Sequence, residues 1–127
     1  MNVELETKKG VTIAKIIGDL DHHTAKNIRS DIDREVKEHH CSLLILDFSG
    51  VTFMDSSGIG LVMGRYKLME EQDGKIIVAC PPAYIKKVMN LAGINKLTKI
   101  VDDYSEFIKE EDTDEKEDEK IEAKSNK

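Results

Sequence analysis

The run Leu43-Leu44-Ile45-Leu46, within a strand expected from Leu43 to Phe48, is continuously apolar rather than alternating, as expected of a strand covered on both faces. A short connection leads from it to Asp55-Ser56-Ser57-Gly58, and from there Ile59, Val62, Met63, Tyr66 and Met69 mark the wide apolar face of a long helix. Gln72-Asp73-Gly74 ends that helix. A buried strand feeding a helix through a polar, Gly-containing turn is the basic unit of an α/β domain. It makes Leu43–Leu46 the expected centre of a sheet. It also gathers two hydroxyls and a carboxylate where the helix's unpaired N–H groups and positive dipole end lie.

The flanking segments extend the same pattern. Val3, Leu5 and Thr7 alternate with polar residues, Lys9-Gly10 signals a turn, and Val11, Ile13 and Ile17 resume on one parity. These features predict an opening hairpin whose second strand breaks at Gly18-Asp19-Leu20-Asp21. Ala25, Ile28, Ile32 and Val36 recur at helical spacing, with either Asp21 or Thr24 as N-cap and an end near His39-His40. Lys75 to Cys80 reads as a strand, Ala83 to Leu91 as a helix closed by Gly93, and Lys99 to Val101 as a short last strand. A helix through Tyr104, Phe107 and Ile108 follows. The fold class is therefore α/β, a mixed four- to five-stranded sheet with helices mainly on one face.

From Lys109 to Lys127 the chain carries nine acidic and five Lys residues, with Ile121 almost its only large apolar group. Such a segment does not repay the entropy of ordering, so residues 109–127 are expected to be a disordered acidic tail on a domain spanning residues 1–108.

Charge and pattern exclude several functions. The net charge of −6 argues against nucleic acid as the main partner. No apolar run has membrane-spanning length and no signal peptide opens the chain, so the expectation is a cytoplasmic protein without membrane attachment. Cys41 and Cys80 each flank an apolar run, which suits buried thiols better than a disulfide framework. The pairs His22-His23 and His39-His40 lack metal-ligand spacing, so neither a metal nor a cofactor is expected. The glycines of Gly58-Ile59-Gly60-Leu61-Val62-Met63-Gly64 miss the dinucleotide fingerprint by one place, and no hydrolase elbow surrounds Ser56 or Ser57. Asp47 at the end of the central strand resembles a receiver phospho-acceptor, but its supporting acidic cluster is weak. At Asp55-Ser56-Ser57-Gly58 one side chain serves as the cap. If that is Ser57, Ser56 is the exposed hydroxyl and a candidate for a kinase.

The run Phe53-Met54-Asp55-Ser56-Ser57-Gly58-Ile59-Gly60 with Gly64-Arg65-Tyr66-Lys67, together with Gly18-Asp19-Leu20-Asp21-His22-His23-Thr24-Ala25, resembles the STAS domain, specifically the anti-sigma factor antagonists of sporulation. The likeness covers about Met1 to Ile108. It departs at Asp19, where Glu is commoner, and after Ile108, where the family core has ended. The resemblance implies a non-enzymatic binding switch in transcription regulation. The unmodified form would bind an anti-sigma factor that is also a serine kinase, releasing a sigma factor. Phosphorylation of Ser56 would end binding, and a serine phosphatase would reset it. Asp21, His22, His23, Asp55, Ser57, Gly58, Ile59 and Gly60 are implied to form the docking surface. Two other readings remain: a STAS module of another circuit, such as a stress-response scaffold or small-ligand sensor, and an enzyme using Ser56 or Asp47 as nucleophile.

Overall fold

The computed structural model describes residues 2–108, so the expectation for the acidic segment lies outside the described residues. The elements run β1 (Val3–Lys8), β2 (Val11–Leu20), α1 (His22–His39), β3 (Leu43–Met54), α2 (Ser56–Glu71), β4 (Lys75–Ala79), α3 (Ala83–Leu91), α4 (Ile94–Leu97) and β5 (Lys99–Val101). Residues 105–108 are again helical. The five strands form one mixed sheet in the order β1-β2-β3-β4-β5, with β1 antiparallel to β2 and every other neighbour parallel. The continuous run of Leu43–Leu46 is thus the central strand.

The hairpin forms where the alternation placed it. Lys9 and Gly10 both take positive φ, 51° and 84°, the twist a two-residue turn needs to return the chain antiparallel. Two strands run further than their local signals suggested. β2 continues through Gly18-Asp19-Leu20 instead of breaking there, its register against β3 shifting between Lys15 and Ile17 and again between Gly18 and Asp19. β3 absorbs the whole connection from Ser49 to Met54. Gly50, a turn residue by composition, faces the irregular stretch of β2, where a Cβ would stand 3.1 Å from the Ile16 carbonyl oxygen. That approach is tighter than most side chains make, which favours a glycine. The short α4 after Gly93 was not foreseen.

Register assigns the faces. Ala14, Leu44, Leu46 and Val78 share the face on which Ile28, Ile32 and Val36 of α1 and Leu61, Val62 and Met69 of α2 complete a buried cluster. The opposite face carries Ile45, Asp47, Ile77 and Ala79, also buried. There Tyr104 donates its hydroxyl to Asp47 Oδ2 at 2.8 Å, and Phe107 lies beside Ile77 and Lys99. No described helix is long and apolar enough to cross a membrane.

Candidate functional site

β2 and β3 end in register, Leu20 opposite Met54, and each hands over at once to an aspartate and a helix. Asp21 and Asp55 take the extended backbone of N-caps, and the Asp55 N–H donates to the Leu20 carbonyl at 3.2 Å. Two helix N-termini therefore emerge side by side from the C-terminal edge of parallel strands, where open α/β sheets place their ligands.

Asp21, not Thr24, caps α1, and the two work as a pair. Asp21 Oδ1 accepts from the N–H groups of His23 (2.9 Å) and Thr24 (3.0 Å), while Thr24 Oγ1 accepts from the Asp21 N–H at 3.0 Å. The bond from the Thr24 N–H is the main reason the Asp21 carboxyl lies below the usual carboxylate range. Thr24 also donates to the Asp19 carbonyl at 2.8 Å, and Asp19 Oδ1 accepts from Thr52 Oγ1 at 2.9 Å. The junction of β2 and α1, from Asp19 to Thr24, is so tied to the end of β3. His22 and His23 follow on the surface, their rings edge to face at 5.7 Å.

At α2 the cap expectation is corrected. Asp55 holds the turn, its Oδ1 accepting from the Ser57 N–H at 2.8 Å and its carbonyl from the Gly58 N–H at 3.0 Å. The cap is thus the Asp55 carboxylate, two residues before Ser57, and it takes the N–H of Ser57 itself. Ser56 is the first helical residue and is exposed. Ser57 is half-buried and turns toward α1, lining the groove between the two helices.

The other expected docking residues divide by environment. Gly60 is exposed and Ile59 is half-buried, leaning on the core. Gly58 is buried, and a Cβ there would meet Met54 Cγ at 2.3 Å, so its contribution is close packing rather than contact surface. Phe53 and Tyr84, respectively 48% and 51% exposed, also flank this end. The Tyr84 hydroxyl reaches the Thr52 carbonyl at 3.3 Å, a long-range pairing with no signal in the local pattern around Tyr84.

The α1–α2 groove encloses about 540 Å³. Lys26 and Arg29 line it from α1, and Gly60, Gly64 and Arg65 from α2. Arg65 is only 7% exposed and lies 2.8 Å through Nε from Asp33 Oδ1. Burial, helped by the like charge of Arg29 and opposed by Asp33, holds the Arg65 guanidinium below its ordinary pKa. Neither Lys26 nor Arg29 was singled out from the sequence, where each reads as an exposed helix charge.

Asp47 is corrected too. It sits within β3 rather than at its end, 4% exposed on the face away from the helices, and both oxygens are engaged, Oδ1 by the Ser49 N–H (2.9 Å) and Oδ2 by Tyr104. A buried carboxylate with both oxygens engaged suits neither a phospho-acceptor nor a nucleophile.

The family model of the STAS domain matches residues 2–107. An anti-sigma F factor antagonist of Paenibacillus polymyxa is 32% identical over 102 residues, covering 80% of this chain and 87% of that protein. The structure of the anti-sigma factor antagonist SpoIIAA in its unphosphorylated form superposes with a TM-score of 0.75 at 28% identity, covering 87% of this chain and 96% of the other. The Bacillus cell fate determinant SpoIIAA in the phosphorylated form gives 0.69 at 29% identity, covering 85% and 97%.

Proposed function

The chain belongs to the STAS domain family, and from that membership we propose that it is an anti-anti-sigma factor without catalysis of its own, switched by phosphorylation of Ser56. In its unmodified form it binds an anti-sigma factor that is also a serine kinase, and a sigma factor is released. Phosphorylated, it lets go, and a serine phosphatase restores it. The named relatives support the antagonist role, and SpoIIAA is described in a phosphorylated as well as an unphosphorylated form.

The observation that carries the choice of residue is the opposite setting of two adjacent hydroxyls. Ser56 stands exposed at the first position of α2, whereas Ser57 turns into the groove with its N–H held by Asp55. A kinase needs the hydroxyl that reaches solvent. The phosphate adds about −1.5 to −2 charges, which a helix N-terminus tolerates within the free protein. Against a partner surface fitted to a bare hydroxyl it must be desolvated. One opposing unit charge at about 6 Å with an effective dielectric near 20 contributes about 3 kcal/mol of repulsion. That corresponds to about 100-fold in affinity.

Incubation with ATP and an anti-sigma kinase, followed by phosphopeptide mapping, tests the proposal. Phosphate is expected on Ser56 alone. Ser56→Ala should bind the kinase and accept no phosphate, and Ser56→Asp should fold yet bind more weakly. Phosphate on Ser57, or full labelling of the Ser56→Ala protein, would overturn the assignment.

A further inference from the structure

We propose that the hollow at the sheet edge where β3, β4 and β5 begin binds an anionic amphiphile, an alkyl carboxylate of medium chain length. The length of β3 separates it from Ser56, and it shares no residue with the docking surface of the switch.

Topology builds the hollow. β3, β4 and β5 run parallel, so their first residues gather at one edge. Leu43 pairs with Lys75 and Ile77 with Lys99, which places all four on one face, the face away from α1 and α2. Phe107 adds its ring to that lining, and the ends of α2 and α4 add Tyr66, Met69 and Leu97 from the other side. The enclosed volume is about 760 Å³, in the range of small-molecule sites, which are mostly apolar with a few convergent polar groups. Leu97 is 41% exposed and Phe107 half-buried, so apolar surface stands open to water there. An alkyl chain laid against it covers that surface, a gain that grows with the area removed from water.

Charge selects the head group. Lys75 and Lys99 flank Ile77 on one face, both are exposed, and neither makes an ion pair among the described residues. Like charges held as neighbours repel, and a carboxylate between them replaces that repulsion with charge-assisted hydrogen bonds. The acidic lining residues Glu70 and Asp73 stand at the close of α2 instead, and Glu70 Oε2 accepts from the Tyr66 hydroxyl at 3.3 Å. The carboxylate is thus steered to the strands and the chain toward Met69 and Leu97.

The test is a titration of the full chain with sodium decanoate below its micellar concentration, at constant ionic strength, followed by backbone amide NMR. Saturable shifts are expected at Lys75, Ile77, Leu97, Lys99 and Phe107, with the amides around Ser56 unmoved. Decyltrimethylammonium, which has the same chain and the opposite charge, should bind about tenfold more weakly or less well still, and acetate should not saturate. Lys75→Gln combined with Lys99→Gln, both at exposed positions, should weaken decanoate binding by about tenfold while the thermal unfolding midpoint is retained. Linear, non-saturating shifts, equal affinity for the cationic amphiphile, saturation by acetate, or unchanged binding in the double variant would overturn the proposal. So would shifts at the same residues that follow protein concentration without decanoate, which would make the hollow an interface between copies of this chain.

Discussion

Asp55, Ser56 and Ser57 are three consecutive polar residues with three different duties. The carboxylate of Asp55 reaches back over the first turn of α2 and satisfies the Ser57 N–H, which frees both hydroxyls from capping. Loss of such a cap costs about 1 kcal/mol. Asp55→Ala is therefore expected to lower unfolding free energy by about that amount, whereas Ser57→Ala should change it by less than about 0.5 kcal/mol. Urea titrations of the two variants check this. A larger loss for Ser57→Ala would return the capping role to the hydroxyl.

At the scale of the element, α2 carries three glycines that a helix of ordinary propensity would avoid, and their surroundings differ. Gly58 abuts Met54 and Leu20, so the helix can settle onto the end of the sheet only without a side chain there. Gly60 and Gly64 face open space. Gly58→Ala should therefore cost about 1–2 kcal/mol through overpacking against Met54, a helix-propensity gain notwithstanding. Gly60→Ala and Gly64→Ala should be neutral or stabilising by up to about 1 kcal/mol. Thermal unfolding of the three variants separates the cases, and equal losses at all three would show that packing at Gly58 is not special.

Across the whole molecule, the sheet's second face is closed by the segment after β5. Tyr104 hydrogen-bonds Asp47 beneath the central strand, and the phenol is pushed up to about 12, first by burial and then by that bond. Its ordinary value is 10.0, so the proton is held more tightly in the folded state. The stabilisation is complete below about pH 10 and is lost as pH rises through about 12. Tyr104→Phe should remove that alkaline slope and, by leaving Asp47 Oδ2 unpaired, cost about 1–3 kcal/mol at neutral pH. Guanidinium unfolding at neutral and alkaline pH checks both. Truncation after Ile108 removes no residue of this closure, and residues 109–127 have almost no apolar group to dock. Their deletion is therefore expected to leave the thermal midpoint and partner binding within error. A midpoint loss of more than about 4 °C would show the segment to be structural.

The amino-acid sequence by itself determined what depends on near neighbours along the chain. The Lys9-Gly10 turn, the helical spacing of Ile28, Ile32 and Val36, the bounds of α3 and the places where α1 and α2 begin were legible, because periodicity and capping act within a few residues, although the capping side chain of α2 was not. The burial of Leu44–Leu46 was legible from an unbroken apolar run. Tertiary structure alone decided where strands stop and which side chains meet. Gly18 reads locally as a breaker and the stretch after Phe48 as a connection, yet pairing between β2 and β3 carries the two strands on to Leu20 and Met54. Tyr104 finds Asp47 across 57 positions of sequence, and Lys26 and Arg29 share a groove with Gly60 and Gly64 only because α1 and α2 pack together. Which of two adjacent serines faces solvent was set by the Asp55 carboxylate and the approach of α1. Periodicity fixes the face a residue occupies, but not what the neighbouring element brings to that face.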